Sequence, residues 1–229
     1  MTTQNNYKYN ANDDAISLWQ QNFTSRIGDG SGDPEEEFLA YVRMAAQLKP
    51  TASWLEIGCG LGRMIEFLDS GRNAIIGLEP DRERFSDCTK RYSASDNIKI
   101  LNITSGEFRQ GQPEARFELI LNSMVLQHVS TDTCDGILRD IRELLATDGV
   151  ALISTTQNCR ELFTFQSSPK HQTRQEFDSY AAQPGNQQFG IPVRKFTKAS
   201  FLSSLDRNGL AVIHWGPVSY THLTLPTIY

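Results

Sequence analysis

The chain has 229 residues, of which 39% are hydrophobic and 21% are charged, and its formal net charge at pH 7 is -5. These values are typical of a globular protein of about one domain, and the acidic balance disfavours a nucleic-acid partner, which would select a basic surface. No apolar run approaches eighteen residues, so we expect no membrane-spanning helix, and the four well-separated cysteines predict no zinc or other metal site and favour the reducing cytoplasm.

The N-terminal part is predicted to be an extension, over residues 1–32, that precedes the folded domain. It is polar and lacks the features of a signal peptide, although Ala15–Phe23 could form a short amphipathic helix. Asp33 has the character of a helix N-cap and Pro34 that of a first helical residue, so the first helix of the domain should run to about Leu48.

Strands and helices are then predicted to alternate, which is typical of a parallel sheet covered by helices on both faces. The predicted strands are Ser53–Ile57, Ala74–Leu78, Ile98–Ile103, Phe117–Leu121 and Val150–Thr155. The predicted helices are Leu61–Asp69, Asp81–Tyr92 and Thr133–Ala146, the last with a strongly apolar face.

The stretch 156–196 interrupts this alternation, because it is polar with scattered aromatic residues. We expect a helix and a loop over the edge of the sheet, as a candidate substrate cap. Thr197 then begins a helix that runs to about Asn208, Gly209 ends it, and Leu210–Trp215 is a sixth strand.

The last residues resemble the translation of a transposase sequencing adapter, which encodes Val218–Thr227 residue by residue. A native strand with alternating residues is the other interpretation. On the adapter interpretation the domain is 33–217, residues 218–229 are a non-native tail, and the natural last strand is missing or replaced.

A glycine-rich turn follows the first strand, at Glu56-Ile57-Gly58-Cys59-Gly60-Leu61-Gly62. Glycines at such a strand-to-helix turn let the backbone approach a ligand closely. The spacing is G-x-G-x-G and not the G-x-G-x-x-G of a dinucleotide site, since Arg63 stands where the third dinucleotide glycine would be. An acid before the loop suits a cationic ligand better than a pyrophosphate.

This loop resembles motif I, (D/E)-x-G-x-G-x-G, of the class I S-adenosylmethionine (SAM) dependent methyltransferases. The resemblance implies a three-layer αβα Rossmann-like fold with sheet order 3-2-1-4-5-7-6 and SAM as the cofactor. It places Glu56 near the methionine moiety of SAM and lets the loop, Gly58, Cys59, Gly60 and Gly62, approach the tail and ribose.

Further stretches are similar to later motifs of the family. Glu79-Pro80 follows the second strand, and Glu79 matches the ribose-binding acid of the family. The third motif lacks its adenine-binding acid, since no acid occurs before Glu107, and Thr104 or the backbone near Ile103 is the candidate in its place. Phe117–Val129 resembles the fourth-strand motif.

The fourth-strand motif supplies three more candidates, Asn122 and Ser123 for the cofactor and His128 for catalysis. His128 could be a general base, and shaping the cofactor pocket is its alternative role. No other catalytic residue is predicted, because in-line methyl transfer depends chiefly on alignment of the reacting atoms.

The predicted function is therefore transfer of a methyl group from SAM to an O, N or C atom of a small molecule. The sequence lacks the (D/N)-P-P-(Y/F) motif of amino-methylating DNA enzymes and the Pro-Cys pair of pyrimidine-attacking enzymes. Two alternatives stay open, a SAM-binding regulatory or partner subunit without catalysis and an NAD-dependent oxidoreductase.

Overall fold

A mostly parallel sheet of seven strands forms the centre of the protein, in a computed structural model that describes residues 34–166, 170–183, 190–215 and 221–226. The strand order is β3-β2-β1-β4-β5-β9-β8. These strands are β1 (Ser53–Ile57), β2 (Ala74–Leu78), β3 (Ile98–Leu101), β4 (Phe117–Ser123), β5 (Leu145–Ser154), β8 (Leu210–Trp215) and β9 (Thr221–Pro226). This order confirms the predicted methyltransferase topology, with β9 in the place of its seventh strand.

Helices connect the strands and cover both faces of the sheet. They are α1 (Pro34–Leu48), α2 (Ile65–Leu68), α3 (Arg82–Arg91), α4 (Ser105–Gly111), α5 (Thr131–Leu144), α6 (Arg174–Ala181) and α7 (Lys198–Arg207). A 3-10 turn, Leu126–His128, joins β4 to α5. Among the described helices, none is long and apolar enough to cross a membrane.

The side chains of β1 alternate between two apolar layers. Trp54 points into the layer formed with α1, α2 and α3, whereas Leu55 points into the layer formed with α4, α5 and α7. Both side chains are fully buried. The three-layer αβα architecture follows, because a strand between two parallel neighbours must bury both of its faces.

Most predicted elements are confirmed, three of them with the predicted bounds, Ser53–Ile57, Ala74–Leu78 and Leu210–Trp215. Pro34 begins α1 and Leu48 ends it, as predicted. Thr197 is the N-cap of α7, and Gly209 follows its C-cap Asn208 with a positive φ of 73°.

The prediction of a helix over Leu61–Asp69 was wrong in its first half, since α2 begins only at Ile65. Gly62 has a φ of 78°, which is outside the helical region. The strand predicted over Ile98–Ile103 ends at Leu101, and Thr104 is the N-cap of α4, a helix that the sequence analysis missed.

The stretch 156–196 contains the predicted helix as α6 but also a second sheet that was not predicted. Strands β6 (Leu162–Phe165) and β7 (Pro192–Lys195) pair antiparallel, and Phe163 of β6 packs on Phe177 of α6 with ring centroids 5.1 Å apart. We call the described residues of this stretch the cap.

Strand β9 pairs antiparallel with β5 on one side and β8 on the other. It lies inside the segment that resembles an adapter, so the predicted slot for a last strand is filled, and the origin of that segment stays a prediction. The proposed extension 1–32, the helix Ala15–Phe23 and the N-cap Asp33 lie outside the described residues, as do residues 216–217 of the proposed domain and 218–220 and 227–229 of the proposed tail. The proposed division into domains also stays a prediction.

Candidate functional site

A cavity of about 460 Å³ lies at the carboxyl ends of β1, β2 and β4, where parallel sheets bind ligands. Its volume falls within the roughly 300–1,000 Å³ of small-molecule sites. Its walls come from the turn after β1, the loops after β2 and β4, the helices α4 and α5, and Ile191 of the cap. Eight of the ten predicted cofactor residues line it: Glu56, Gly58, Cys59, Gly60, Glu79, Pro80, Thr104 and Ser123.

The glycine turn begins with Gly58, which has a φ of 75°. A methyl group on its Cα would lie 2.5 Å from Cγ2 of Val125, so only glycine fits there. Its backbone N–H and that of Cys59 donate to the carbonyl of Leu78, at 2.8 and 3.0 Å. Gly60, with a φ of 56°, would bring a methyl group no closer than 3.9 Å to its nearest neighbour, Arg84. The turn therefore leaves the backbone open to the cavity at Gly60.

Gly62 does not line the cavity, although it was predicted to bind the cofactor. A methyl group at this position would lie 2.4 Å from the ring of Tyr92 and 2.8 Å from Sγ of Cys88. The Tyr92 hydroxyl also donates to the Gly62 carbonyl, at 2.6 Å. This glycine permits close packing of the turn on α3.

Glu56 is the penultimate residue of β1 and lies in the wall of the cavity, with 2% of its surface exposed. Its Oε2 atom has no hydrogen-bond partner among the described residues. Burial raises the pKa of this carboxyl well above its ordinary value, Cys88 raises it further, and Arg63 opposes the shift. A buried carboxylate of this kind is stabilised by a cation in the cavity.

Glu79 follows β2 and is held by two backbone donors. Gly60 N–H donates to its Oε2 at 2.7 Å, and Asp81 N–H donates to its Oε1 at 2.9 Å. Burial raises the pKa of Glu79, whereas the donors and Arg84 lower it. The Asn102 amide fixes the backbone of this loop by donating to the carbonyls of Glu79 and Pro80. Each Glu79 oxygen retains a lone pair for a hydroxyl donor.

Thr104 lies at the cavity, but its side chain is engaged in capping α4. The Thr104 hydroxyl accepts from Glu107 N–H and donates to Oε2 of Glu107, which also accepts from Thr104 N–H. This capping box occupies both side chains that the sequence offered after β3.

Asn122 is fully buried and does not line the cavity, in contrast to the prediction that it binds the cofactor. Its amide donates to the Ile57 carbonyl at 3.1 Å and thereby ties β4 to the end of β1. The next residue, Ser123, does reach the cavity. Met124 then has a φ of 58°, which is strained for a residue with a side chain.

His128 lines the cavity and is 7% exposed. Its Nδ1 lies 2.8 Å from the carbonyl oxygen of Pro192 in the cap. Because a carbonyl only accepts, Nδ1 carries the proton and Nε2 the lone pair. Burial lowers the pKa of His128 to about 4, partly opposed by that hydrogen bond, so the ring is neutral at pH 7.

The sequence analysis missed Asp140 of α5, which lines the cavity with 5% of its surface exposed. Its Oδ2 accepts from the Ser105 hydroxyl at 2.6 Å and its Oδ1 from Nε of Arg109 at 2.7 Å. The signal was a carboxylate at the margin of the apolar face of α5, next to Ile141. The cap residue Ile191 was also missed, since no motif marks it.

A family model described as a methyltransferase domain matches residues 35–214, which is most of the chain. The ribosomal RNA small subunit methyltransferase A of Dehalococcoides mccartyi is 29% identical over 85 residues. That alignment covers 36% of this chain and 29% of the relative, so the chain matches under a third of the length of this curated protein.

Solved structures with the same fold include several methyltransferases. One is the 1,6-didemethyltoxoflavin-N1-methyltransferase of Burkholderia thailandensis, solved with 1,6-didemethyltoxoflavin and S-adenosylhomocysteine. It has a TM-score of 0.63 at 16% identity, and the superposition covers 94% of this chain and 90% of the B. thailandensis chain. The CcbJ methyltransferase of Streptomyces caelestis has a TM-score of 0.62 at 14% identity, with coverages of 89% and 94%.

Proposed function

The chain belongs to the methyltransferase-domain family of class I SAM-dependent enzymes, and from that premise we propose that it transfers the methyl group of SAM to an O, N or C atom of a small molecule. The observation that carries the proposal is the buried carboxylate of Glu56 in the wall of the cavity. SAM brings two cationic centres, an ammonium and a sulfonium, whereas NAD brings a pyrophosphate. The cavity therefore favours SAM on electrostatic grounds.

The other lining residues fit the remaining parts of SAM. The open backbone at Gly60 suits the amino-acid tail, and the lone pairs of Glu79 suit the two ribose hydroxyls. SAM, when bound, supplies a methyl group activated by its attachment to a sulfonium.

The role of the protein is then to hold the acceptor in line and to exclude water. His128 suits the first task, because its fixed tautomer presents Nε2 as an acceptor for an O–H or N–H of the substrate. The cap suits the second, since Ile191 and the Pro192 carbonyl bring it against the cavity. The B. thailandensis enzyme, solved with 1,6-didemethyltoxoflavin bound, is an example of a small-molecule methyltransferase with this fold.

A labelled-methyl assay tests the acceptor class. The protein is incubated with methyl-labelled SAM and a cell extract separated into low-mass, protein and RNA fractions. We expect label in the low-mass fraction. Label confined to RNA or protein would contradict the small-molecule proposal, and binding of SAM without transfer to any fraction would favour a partner subunit.

Glu79→Ala tests the ribose assignment in the same protein. Loss of a charged hydrogen-bond acceptor should weaken SAM binding by roughly 1–3 kcal/mol. Glu114→Ala, at an exposed position away from the cavity, is the matched control and should leave affinity unchanged. Unchanged SAM affinity in Glu79→Ala, measured by calorimetry, would count against the assignment.

We also propose a cytoplasmic location. All four cysteines are free thiols, three of them buried, which fits a reducing compartment.

A further inference from the structure

We propose that Asp140 recognises the exocyclic amino group of the adenine of SAM, and that it replaces the acid that is absent after β3. The proposal rests on the proposed function, since it assigns a residue to the nucleobase of the cofactor. Asp140 belongs to α5, a helix that follows β4, and so lies far along the chain from the loops that line the rest of the cavity.

The order of the strands sets where each part of SAM would lie. Glu56 and Gly58 are at the end of β1, and Glu79 is at the end of the neighbouring strand β2. With the amino-acid tail at β1 and the ribose at β2, the nucleobase extends toward the end of β3, which is the next strand. The cavity continues in that direction along Ile103 and Thr104.

At that end of the cavity, the first acidic residue after β3 is Glu107, and its carboxylate is already hydrogen-bonded. Glu107 is bound by both the N–H and the hydroxyl of Thr104 in the capping box of α4. It does not line the cavity. A carboxylate acceptor for the amino group of a nucleobase at this place must therefore come from another element.

Asp140 supplies such an acceptor across the groove between α4 and α5. It lines the cavity together with Ser105 and Gly106, the first two residues of α4. The Ser105 hydroxyl and the Arg109 side chain each donate to one carboxylate oxygen, and these bonds fix the carboxylate in orientation. A carboxylate oxygen accepts more than one hydrogen bond, so Oδ2 has capacity for an amino group.

Two glycines leave the groove open beside this carboxylate. A methyl group at Gly106 would have Asp140 Oδ2 as its nearest neighbour, at 3.7 Å, and one at Gly136 would meet nothing within 4 Å. Both glycines line the cavity. The groove thus has room for a flat ring whose edge faces Asp140.

The recognition is selective for an amino group over a carbonyl. An N–H₂ donates to the carboxylate, whereas a carbonyl oxygen at the same place would repel it and leave it without its donor. S-inosylhomocysteine has a carbonyl in place of that amino group, together with a hydrogen on the neighbouring N1, and serves as the probe; the change of the ratio in a variant at Asp140 then isolates the contribution of this residue.

The experiment measures the dissociation constants of both compounds by calorimetry. We expect wild-type protein to bind S-adenosylhomocysteine at least about tenfold more tightly than S-inosylhomocysteine. In Asp140→Asn this ratio should fall to within about threefold, because the amide can donate to the inosine carbonyl. Circular dichroism establishes that the variant is folded.

Glu143→Ala is the matched control, since it breaks the ion pair of Glu143 with Arg109 between α5 and α4 but removes neither a group of the cavity wall nor a bond to Asp140. It should keep the ratio. A wild-type ratio near one, or a ratio that Asp140→Asn leaves unchanged, would overturn the proposal. Failure of wild-type protein to bind either compound would instead contradict the proposed function.

Discussion

The cofactor loops and the cap meet at one cavity but are built on different principles. The loops after β1, β2 and β4 are shaped by backbone conformation and by buried acids, such as the positive φ of Gly58 and the carboxylates of Glu56 and Glu79. The cap is held by aromatic packing, with Phe165 and Tyr180 edge to face at 4.9 Å. The loops that follow the strands therefore leave recognisable motifs in the sequence, whereas the aromatic packing of the cap leaves few.

The cap has its own small core and a defined attachment to the domain. Arg194 pairs with Glu161 and stacks over Phe196 at 4.1 Å. Asp178 of α6 accepts from the backbone N–H and the hydroxyl of Thr131 at the start of α5. The cap is therefore expected to influence stability and acceptor binding more than cofactor binding.

Substitution of Phe177, a buried aromatic residue of the cap, tests whether the cap affects stability without affecting cofactor binding, and it should give the largest change in the free energy of unfolding. Phe177 is fully buried, so Phe177→Ala should lower the free energy of unfolding by about 3–5 kcal/mol. Urea unfolding measures this loss, and Phe177→Leu, which keeps most of the apolar volume, is the control. S-adenosylhomocysteine affinity in the folded variant should stay within about threefold. A tenfold or greater loss would show that the two regions act as one.

His128 joins the two regions, and its titration should be visible in stability. The unfolded imidazole takes up a proton below its ordinary pKa of 6.5, whereas the native pKa is about 4. Native stability is therefore lost as pH falls from 6.5 to 4, by roughly 3 kcal/mol in total. His128→Gln removes this contribution, so the wild type should lose more stability than the variant over that range. Equal losses in urea unfolding at pH 7 and pH 4.5 would contradict the buried neutral ring.

Alanine substitutions at Gly58 and Gly71, which have similar φ angles, separate the cost of backbone strain from the cost of a steric clash at the glycine turn. Gly58→Ala introduces a contact of 2.5 Å with Val125, whereas Gly71→Ala, at a φ of 68°, meets nothing within 4 Å. In each variant, the left-handed backbone conformation should lower the free energy of unfolding by about 1–2 kcal/mol. In Gly58→Ala, overpacking against Val125 should lower the free energy of unfolding by about 1–3 kcal/mol more. This variant should also bind the cofactor more weakly. Equal decreases in the free energy of unfolding of the two variants, measured by urea unfolding, would show that Val125 can move to accommodate the new methyl group without loss of stability.

The sequence predicted those parts of the fold that local chemistry determines. Strands β1 and β2 are apolar segments with polar or turn residues at both ends, and α7 lies between the capping Thr197 and Gly209, so their limits could be read directly. Helix α4 was missed although Thr104 and Glu107 have the spacing of a capping box, because seven residues give a weak periodic signal.

Spacing along the chain brought eight of the ten predicted cofactor residues to the cavity wall, whereas local packing and hydrogen bonding keep two away from it. Gly62 packs on Tyr92, and the Asn122 amide donates to the carbonyl of Ile57, so neither residue lines the cavity. Asp140 approaches from a helix that follows another strand, so its place at the cavity depends on tertiary packing.

Calorimetric titration of the wild-type protein with SAM and with NAD tests the central claim most directly, because the two cofactors differ in the sign of the charge that would meet Glu56. We predict a saturable heat of binding with SAM and none with NAD at the same concentrations. Tight binding of NAD without binding of SAM would contradict the assignment of this cavity to a methyl donor.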